Sequence, residues 1–525
     1  MEYDYVIVGA GSAGCVLANR LSADPATTVA LIEAGGPADK LEVRMPAGFA
    51  KLFKTACDWN FTTVEQPGLS GRRLYWPRGR MIGGSSSMNA QMWVRGHRAD
   101  YDGWDVPGWS YEEVLPYFQR AERRVGSNHG GVYGTAGPIS ISELRSPNRL
   151  TPVFLKACEE AGLARLDELN GPSNEGCSPT PVTQDRGRRC SSADAYLRPA
   201  SRRPNLTVLT SRHVRRVLVE GGRATGVECA PQDGDGDGTL VRARREVVLS
   251  AGAIGSPHLL MLSGIGAADD LLAQGIEPLL DLPQVGANLQ DHLASGVILH
   301  CPEPVTLARA ESVGNLLRFL VGRSGMLTSN VGEAVAFIRT SPEEPAPDIE
   351  LIFAPVPFID HGLTRPPAHG LTIASILLRP ESRGRIFLQG RDVAIDPGYL
   401  TAEADLRRQV AGLRKAKELF ATSALLPFAG APMEPYRGAE TEEELAHWIR
   451  ERSETLYHPV GTCRMGEDAD AVVDPELRVR GVAGLRVADA SVMPVINRGH
   501  THAPTVMIAE KAADLIAGSS LRGGS

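Results

Sequence analysis

Gly9-x-Gly11-x-x-Gly14 stands between an apolar, β-rich run, Tyr3 to Val8, and a helix-forming run, Cys15 to Ser22. Gly9 permits a tight turn, Gly11 lets backbone approach a pyrophosphate closely, and Gly14 lets the helix lie against the strand. Ser12 and Ala13 lie in the glycine-rich turn that leads into that helix, whose N-terminus presents unpaired N–H groups to negative charge. A second strand, Thr28 to Ile32, ends at Glu33, 19 residues after Gly14, where an acid receives hydrogen bonds from a ribose diol. The chemistry is dinucleotide binding. The pattern does not separate FAD from NAD, although its place near the N-terminus leans towards FAD by analogy. A second set is His458, His500 and His502. Imidazole titrates at about 6.5, which suits proton transfer near neutrality. Alone, His458 before Pro459 reads as an ordinary loop histidine. The three also invite a metal reading, which is weak because no acidic ligand pattern accompanies them.

The elements that must position these residues follow. Tyr3 to Ile32 reads as a βαβ opening. Phe49 to Gly84 is irregular and rich in Gly, Pro and aromatics, a long loop region of the kind that often carries function. Helices are expected over Tyr111 to Arg124, with Ser110 as cap, and over Thr151 to Ala161, with Pro152 in the first turn. Strands are expected at Leu206 to Leu209, Val214 to Glu220, Ala224 to Cys229 and Arg242 to Ser250. The run Asp233 to Gly238 resembles the start of a calcium loop, but Arg244 occupies the position that requires Glu, so a hairpin tip is expected there. From about Ser295 to Thr455 strand-like runs (Asp348 to Phe353, Leu371 to Leu378) precede helical ones (Ala402 to Ala421, Thr441 to Arg452). A last helix is expected from about Thr505 to Ala517.

A chain of 525 residues exceeds what one core usually serves, so two associated domains are the prior. The net charge of −7 and the lack of a long basic run exclude nucleic acid as an expected partner. No apolar stretch reaches the roughly 20 residues of a bilayer span, and the start lacks signal-peptide features. A cytoplasmic protein is expected, with peripheral membrane contact left open. The eight cysteines form no Cys-x-x-Cys pair, which favours reduced, buried thiols.

Five blocks in order resemble the glucose–methanol–choline (GMC) oxidoreductase family over nearly the whole chain. They are Gly9 to Ser22 with Glu33-Ala34-Gly35; Arg78 to Ala90; Ser250 to Pro257 with Ser263 to Gly266; His458 to Gly466; and Asp489 to Pro494 followed by His500 to Thr505. The resemblance is strongest to the bacterial choline dehydrogenase and hydroxymethylfurfural oxidase-like branch. It implies an α/β (α+β) fold: a Rossmann-like FAD domain from residues 1–150, 200–295 and 455–525, with an inserted substrate domain, 150–200 and 295–455, built on an antiparallel sheet with helices.

The resemblance also implies roles. Arg80, Gly84, Ser85, Asn89, Ala90 and Met92 fall in the segment beside the flavin. Val214 matches the strand that meets adenine. Ala251, Asp489 and Ala490 match loops near the pyrophosphate and ribityl chain, and Thr501 and Thr505, within the last block, are expected to meet the cofactor as well. Met88 stands where some members attach FAD through His, so non-covalent FAD is expected. His458 is expected as the base, His502 as its partner orienting the alkoxide, and His500 as facing the flavin. Tyr457 is expected to line the substrate pocket, with Phe353, Phe358 and Trp93 as weaker candidates. Nothing announces an aromatic cage for a quaternary ammonium ion. The implied activity is oxidation of a primary alcohol to an aldehyde, with oxygen or a quinone or redox protein as acceptor, by a monomer or homodimer. A non-redox hydroxynitrile lyase-like activity and light-driven fatty acid decarboxylation are the alternatives on the same scaffold.

Overall fold

The structure is a computed structural model that describes residues 1–231 and 238–522. The Asp-Gly run considered above for calcium lies largely outside the described residues. Two sheets organise the chain. The first has seven strands, in the order Leu206–Leu209, Val29–Ile32, Glu2–Val8, Thr239–Leu249, Arg223–Pro231, Arg212–Glu220, with Leu485–Val487 also paired to Thr239–Leu249. Its central pairs are parallel, and Val8 sits in register with both Ile32 and Leu249, which in turn faces Val487. Four strands therefore end at one level, and Gly9, Glu33, Ser250 and Ala488 leave the sheet together. That edge, beyond the carboxyl ends of parallel strands, is where open α/β sheets hold ligands.

Val29 to Ile32 reads as an unbroken apolar run because both faces of this strand are covered, and all four residues are buried. The helix Ser12–Leu21 packs against the C-terminal helix His502–Arg522. Gly14 makes the strand contact as expected: a Cβ there would lie 1.9 Å from the Gly9 carbonyl oxygen. The expected helix at Tyr111 stops at Ala121, and Glu122–Arg124 continues as a short strand. Its start is a capping box in which Ser110 N–H donates to Glu113 at 3.0 Å.

The second sheet has six strands, in the order Glu454–Thr455, Leu293–His300, Gly370–Leu377, Ile349–Ala354, Ala334–Ile338, Gly176–Pro179, each pair antiparallel. Helix Glu403–Ala421 crosses one face, beside Thr151–Glu160. The other face looks into a cavity that the ends of the first sheet close from the opposite side. All eight cysteines are free and buried. Among the described residues no helix is long and apolar enough to cross a membrane.

Candidate active site

One cavity of about 740 Å³ runs between the two sheets. Gly9, Gly11, Ser12, Ala13, Glu33, Gly84, Ser85, Asn89, Ala90, Met92, Val214, Ala251, Asp489, Ala490, Thr501 and Thr505 line it, with Tyr457, His458, His500 and His502. Gly14 and Arg80 do not. Gly14 is spent on helix–strand contact, and the Arg80 guanidinium lies 5.0 Å over the ring of Trp59, which is itself a lining residue.

The elongated half of the cavity fits a dinucleotide. The helix starting at Ser12 has no side-chain cap, so its N–H groups are left for a ligand. Gly84, at φ +51°, comes so close to Gly11 that a Cβ would meet its Cα at 2.8 Å. Two backbone segments thus form a smooth cradle that any side chain would fill. Glu33 receives N–H donors from Ala10 (2.9 Å) and Gly35 (2.8 Å), and burial pushes its carboxyl up to about 7. Asp489 is fully engaged, tying its own loop to the start of helix Gly252–Leu262. It accepts from Gly252 N–H at 2.8 Å and Ser256 Oγ at 2.6 Å on one oxygen, and from Ser491 N–H at 2.8 Å on the other. It shapes the loop rather than offering a free charge. His502 is partly buried, and its two ring nitrogens are shielded from solvent with no hydrogen-bond partner, so both await a polar group in the cavity. Met88, a buried thioether, stands on the same wall.

The other half of the cavity holds a group of histidines. His458 sits in a loop after strand Glu454–Thr455, and its N–H donates to Asp291 Oδ1 at 2.6 Å. Asp291 is buried and also accepts from Thr455 Oγ1 at 2.6 Å and from the Tyr399 hydroxyl, which fixes the loop. His458 Nδ1 lies 2.9 Å from His292 Nδ1, and His292 Nε2 lies 3.1 Å from the Leu378 carbonyl oxygen. A carbonyl oxygen only accepts, so His292 carries its proton on Nε2. Burial pushes His292 down to about 3, so it is neutral and its Nδ1 is an acceptor. His458 must therefore donate from Nδ1, which leaves its Nε2 lone pair bare. Burial, then the neighbouring His500, holds His458 well below the ordinary histidine value, with His292 and Arg78 adding to it.

The ring beside His458 is His500, not His502. The His458 and His500 centroids are 4.9 Å apart at 84°, and His500 Nε2 lies 3.0 Å from Glu350 Oε1. His502 instead meets the edge of Trp93, 5.5 Å away, and burial lowers it to about 4. The reason is the chain's path: His500 ends the loop, facing the antiparallel sheet, whereas His502 begins the helix at the nucleotide end. The expected neighbour of His458, His502, is thus replaced in space by His500. Phe353 is also misplaced by the sequence reading. It is buried on the helix side of its strand, stacked 4.8 Å from Phe154, while its neighbours Ile352 and Ala354 line the cavity. Strand alternation decides this. Trp93 is a core residue whose Nε1 donates to Glu122 at 2.8 Å; Phe358 does line the cavity.

Asp291, His292 and Glu350 were not singled out from sequence. Glu350 alone carried a signal, an acid within the otherwise apolar strand Ile349–Ala354. Among the described residues no group of three or more His, Cys, Asp or Glu is placed to hold a metal ion.

The GMC oxidoreductase N-terminal family profile matches residues 3–294 and its C-terminal counterpart residues 380–509. A GMC-type oxidoreductase of Mycobacterium tuberculosis is 51% identical, over 98% of this chain and 99% of its own length. The alcohol dehydrogenase [acceptor] of Pseudomonas putida is 41% identical, over 98% and 95%. Among solved structures, pyridoxine 4-oxidase of Mesorbium loti superposes with a TM-score of 0.88 at 35% identity, covering 98% of both chains. With the nucleotide cradle, the paired histidines and these matches together, the chain belongs to the GMC oxidoreductase family.

Proposed function

We propose that this protein oxidises a primary alcohol to the aldehyde, with His458 Nε2 taking the hydroxyl proton. Membership of the family makes it an FAD-dependent oxidoreductase acting on CH–OH donors. Bound FAD supplies the hydride acceptor, and Gly9 to Gly14, Glu33, Gly84 to Ala90 and the Asp489 loop would hold it. With Met88 on the wall and no histidine at that position, the cofactor is held without a covalent bond. The observation that carries the reading is the His292–His458 contact: it fixes the tautomer that leaves a basic nitrogen free in a buried cavity. An alcohol is a poor hydride donor until its proton leaves, and a neutral imidazole within reach meets that need. His500, held by Glu350, orients the oxygen that loses the proton. Ile352, Ala354, Thr372 and Phe358 enclose the carbon chain in a largely apolar pocket.

The test is anaerobic mixing of the yellow holoprotein with a panel of primary alcohols. Bleaching of the flavin band supports the reading; no bleaching by any alcohol favours the lyase or decarboxylase alternative. His500→Ala should slow bleaching by about tenfold or more, whereas His502→Ala should act mainly on retention of FAD. The reverse order would restore His502 as the partner.

A further inference from the structure

Helix Val313–Gly322 presents an apolar stripe to solvent. Val313, Leu317, Leu320 and Val321 are 76%, 57%, 45% and 88% exposed, while Phe319 on the opposite side is buried. At 100° per residue these four side chains fall within one arc of about 100°. Scattered exposed aliphatics need no explanation, but four on one face of one helix do.

Arginines gather at the C-terminal end of the stripe. Arg318 lies at its edge on the same helix, and Arg323 caps the C-terminal end in a left-handed conformation. Arg188 is lowered by burial and then by the nearby positive charges of Arg323 and Arg44. Among the described residues none of Arg44, Arg188, Arg318 and Arg323 has a carboxylate within ion-pair distance, while the flanking Glu311 is taken by Lys51 at 2.9 Å. A group of arginines left unneutralised on a chain of net charge −7 is complementary to an anionic surface.

We propose that this helix docks the protein on a bilayer containing anionic phospholipid, with the aliphatic stripe in the acyl boundary and the arginines on the headgroup phosphates. An amphipathic helix with basic flanks binds in that way. Four side chains are too small a patch for a stable dimer, which needs roughly 800 Å² from each partner. The position adds a consequence. Phe319 packs in one cluster with Met45, Leu307 and Leu327, directly against the segment Pro46–Leu52, whose Phe49 lines the active-site cavity. A docked helix places that wall of the cavity at the lipid interface, where apolar alcohols and lipid-soluble electron acceptors concentrate.

The test is co-sedimentation of the full-length holoprotein with vesicles of phosphatidylglycerol and phosphatidylcholine, against vesicles of phosphatidylcholine alone. Binding to the first and not the second, weakened by salt, is expected. Leu317→Gln with Val321→Gln, and separately Arg318→Glu with Arg323→Glu, should each reduce binding by about tenfold or more. All four positions are outside the cavity, so flavin absorbance and alcohol bleaching should be retained and report that the variants fold. No binding to anionic vesicles, or binding that neither double variant weakens, overturns the proposal. So does a sedimentation-velocity dimer that Leu317→Gln with Val321→Gln dissolves, since the stripe would then be covered by a second copy.

Discussion

A single buried imidazole, His292, decides which nitrogen of His458 is available for chemistry. The direction of the hydrogen bond follows from the Leu378 carbonyl and not from anything at His458 itself. Replacing His292 by Phe removes the acceptor and lets His458 sample both tautomers, so flavin reduction should slow while FAD stays bound. The substitution also tests the proton balance of folding. His292 is held at about 3 in the folded chain, below the roughly 6.5 of an unfolded histidine. Its unfolded form takes up a proton first, so its contribution to stability is complete above pH 6.5 and is lost as pH falls towards 3. Denaturant unfolding at pH 7.5 and pH 5 should show about 2 kcal/mol less acid sensitivity in His292→Phe than in the wild type. Equal slopes would mean that His292 is not held neutral. Residues of this kind were hard to read in the sequence. His458 stood out through its motif, but His292 and Asp291 act through contacts 166 and 167 positions away, which no local pattern records. His500 and His502 are visible in the sequence, but which of them meets His458 is not, because the loop-to-helix junction between them turns the two rings to different neighbours.

At the scale of elements, alternation along Ile349–Ala354 separates cavity lining from core. Ile352 and Ala354 face the cavity, and Phe353 faces Phe154 and the helices. Phe353→Ala should lower stability by about 3–5 kcal/mol and leave the alcohol preference unchanged. Ile352→Ala should shift KM across a series of alcohol chain lengths, at a cost in stability of about 2 kcal/mol or more because it is also buried. Thermal melts and steady-state kinetics on both variants check this, and a changed preference in Phe353→Ala would contradict the assignment. The strand itself was legible to within one residue, since its apolar run is bounded by turn-forming sequence. Its facing was not, because a strand buried on both sides shows no polar alternation. The opening βαβ unit was legible in full: glycine spacing, the helix and Glu33 all constrain one geometry, and the register of Val8, Ile32 and Leu249 realises it.

At the scale of the molecule, the cavity exists because distant stretches return to the same two sheets. Strand Leu485–Val487 joins the N-terminal sheet, and Glu454–Thr455 joins the sheet that carries Glu350. The nucleotide cradle and the paired imidazoles therefore open into one space. A cofactor held by shape and backbone donors, without a covalent anchor, should leave with the fold. Heat or acid denaturation should release the whole yellow chromophore into the supernatant, and colour remaining on the precipitated chain would contradict non-covalent binding.

The most direct measurement of the central claim is stopped-flow flavin reduction by one alcohol substrate, without oxygen, in wild type and His458→Ala. Removal of the bare Nε2 should slow reduction by about 100-fold or more while the visible flavin spectrum before mixing stays unchanged. Equal reduction rates, with FAD bound in both proteins, would remove His458 from the proton transfer and with it the role assigned to His292.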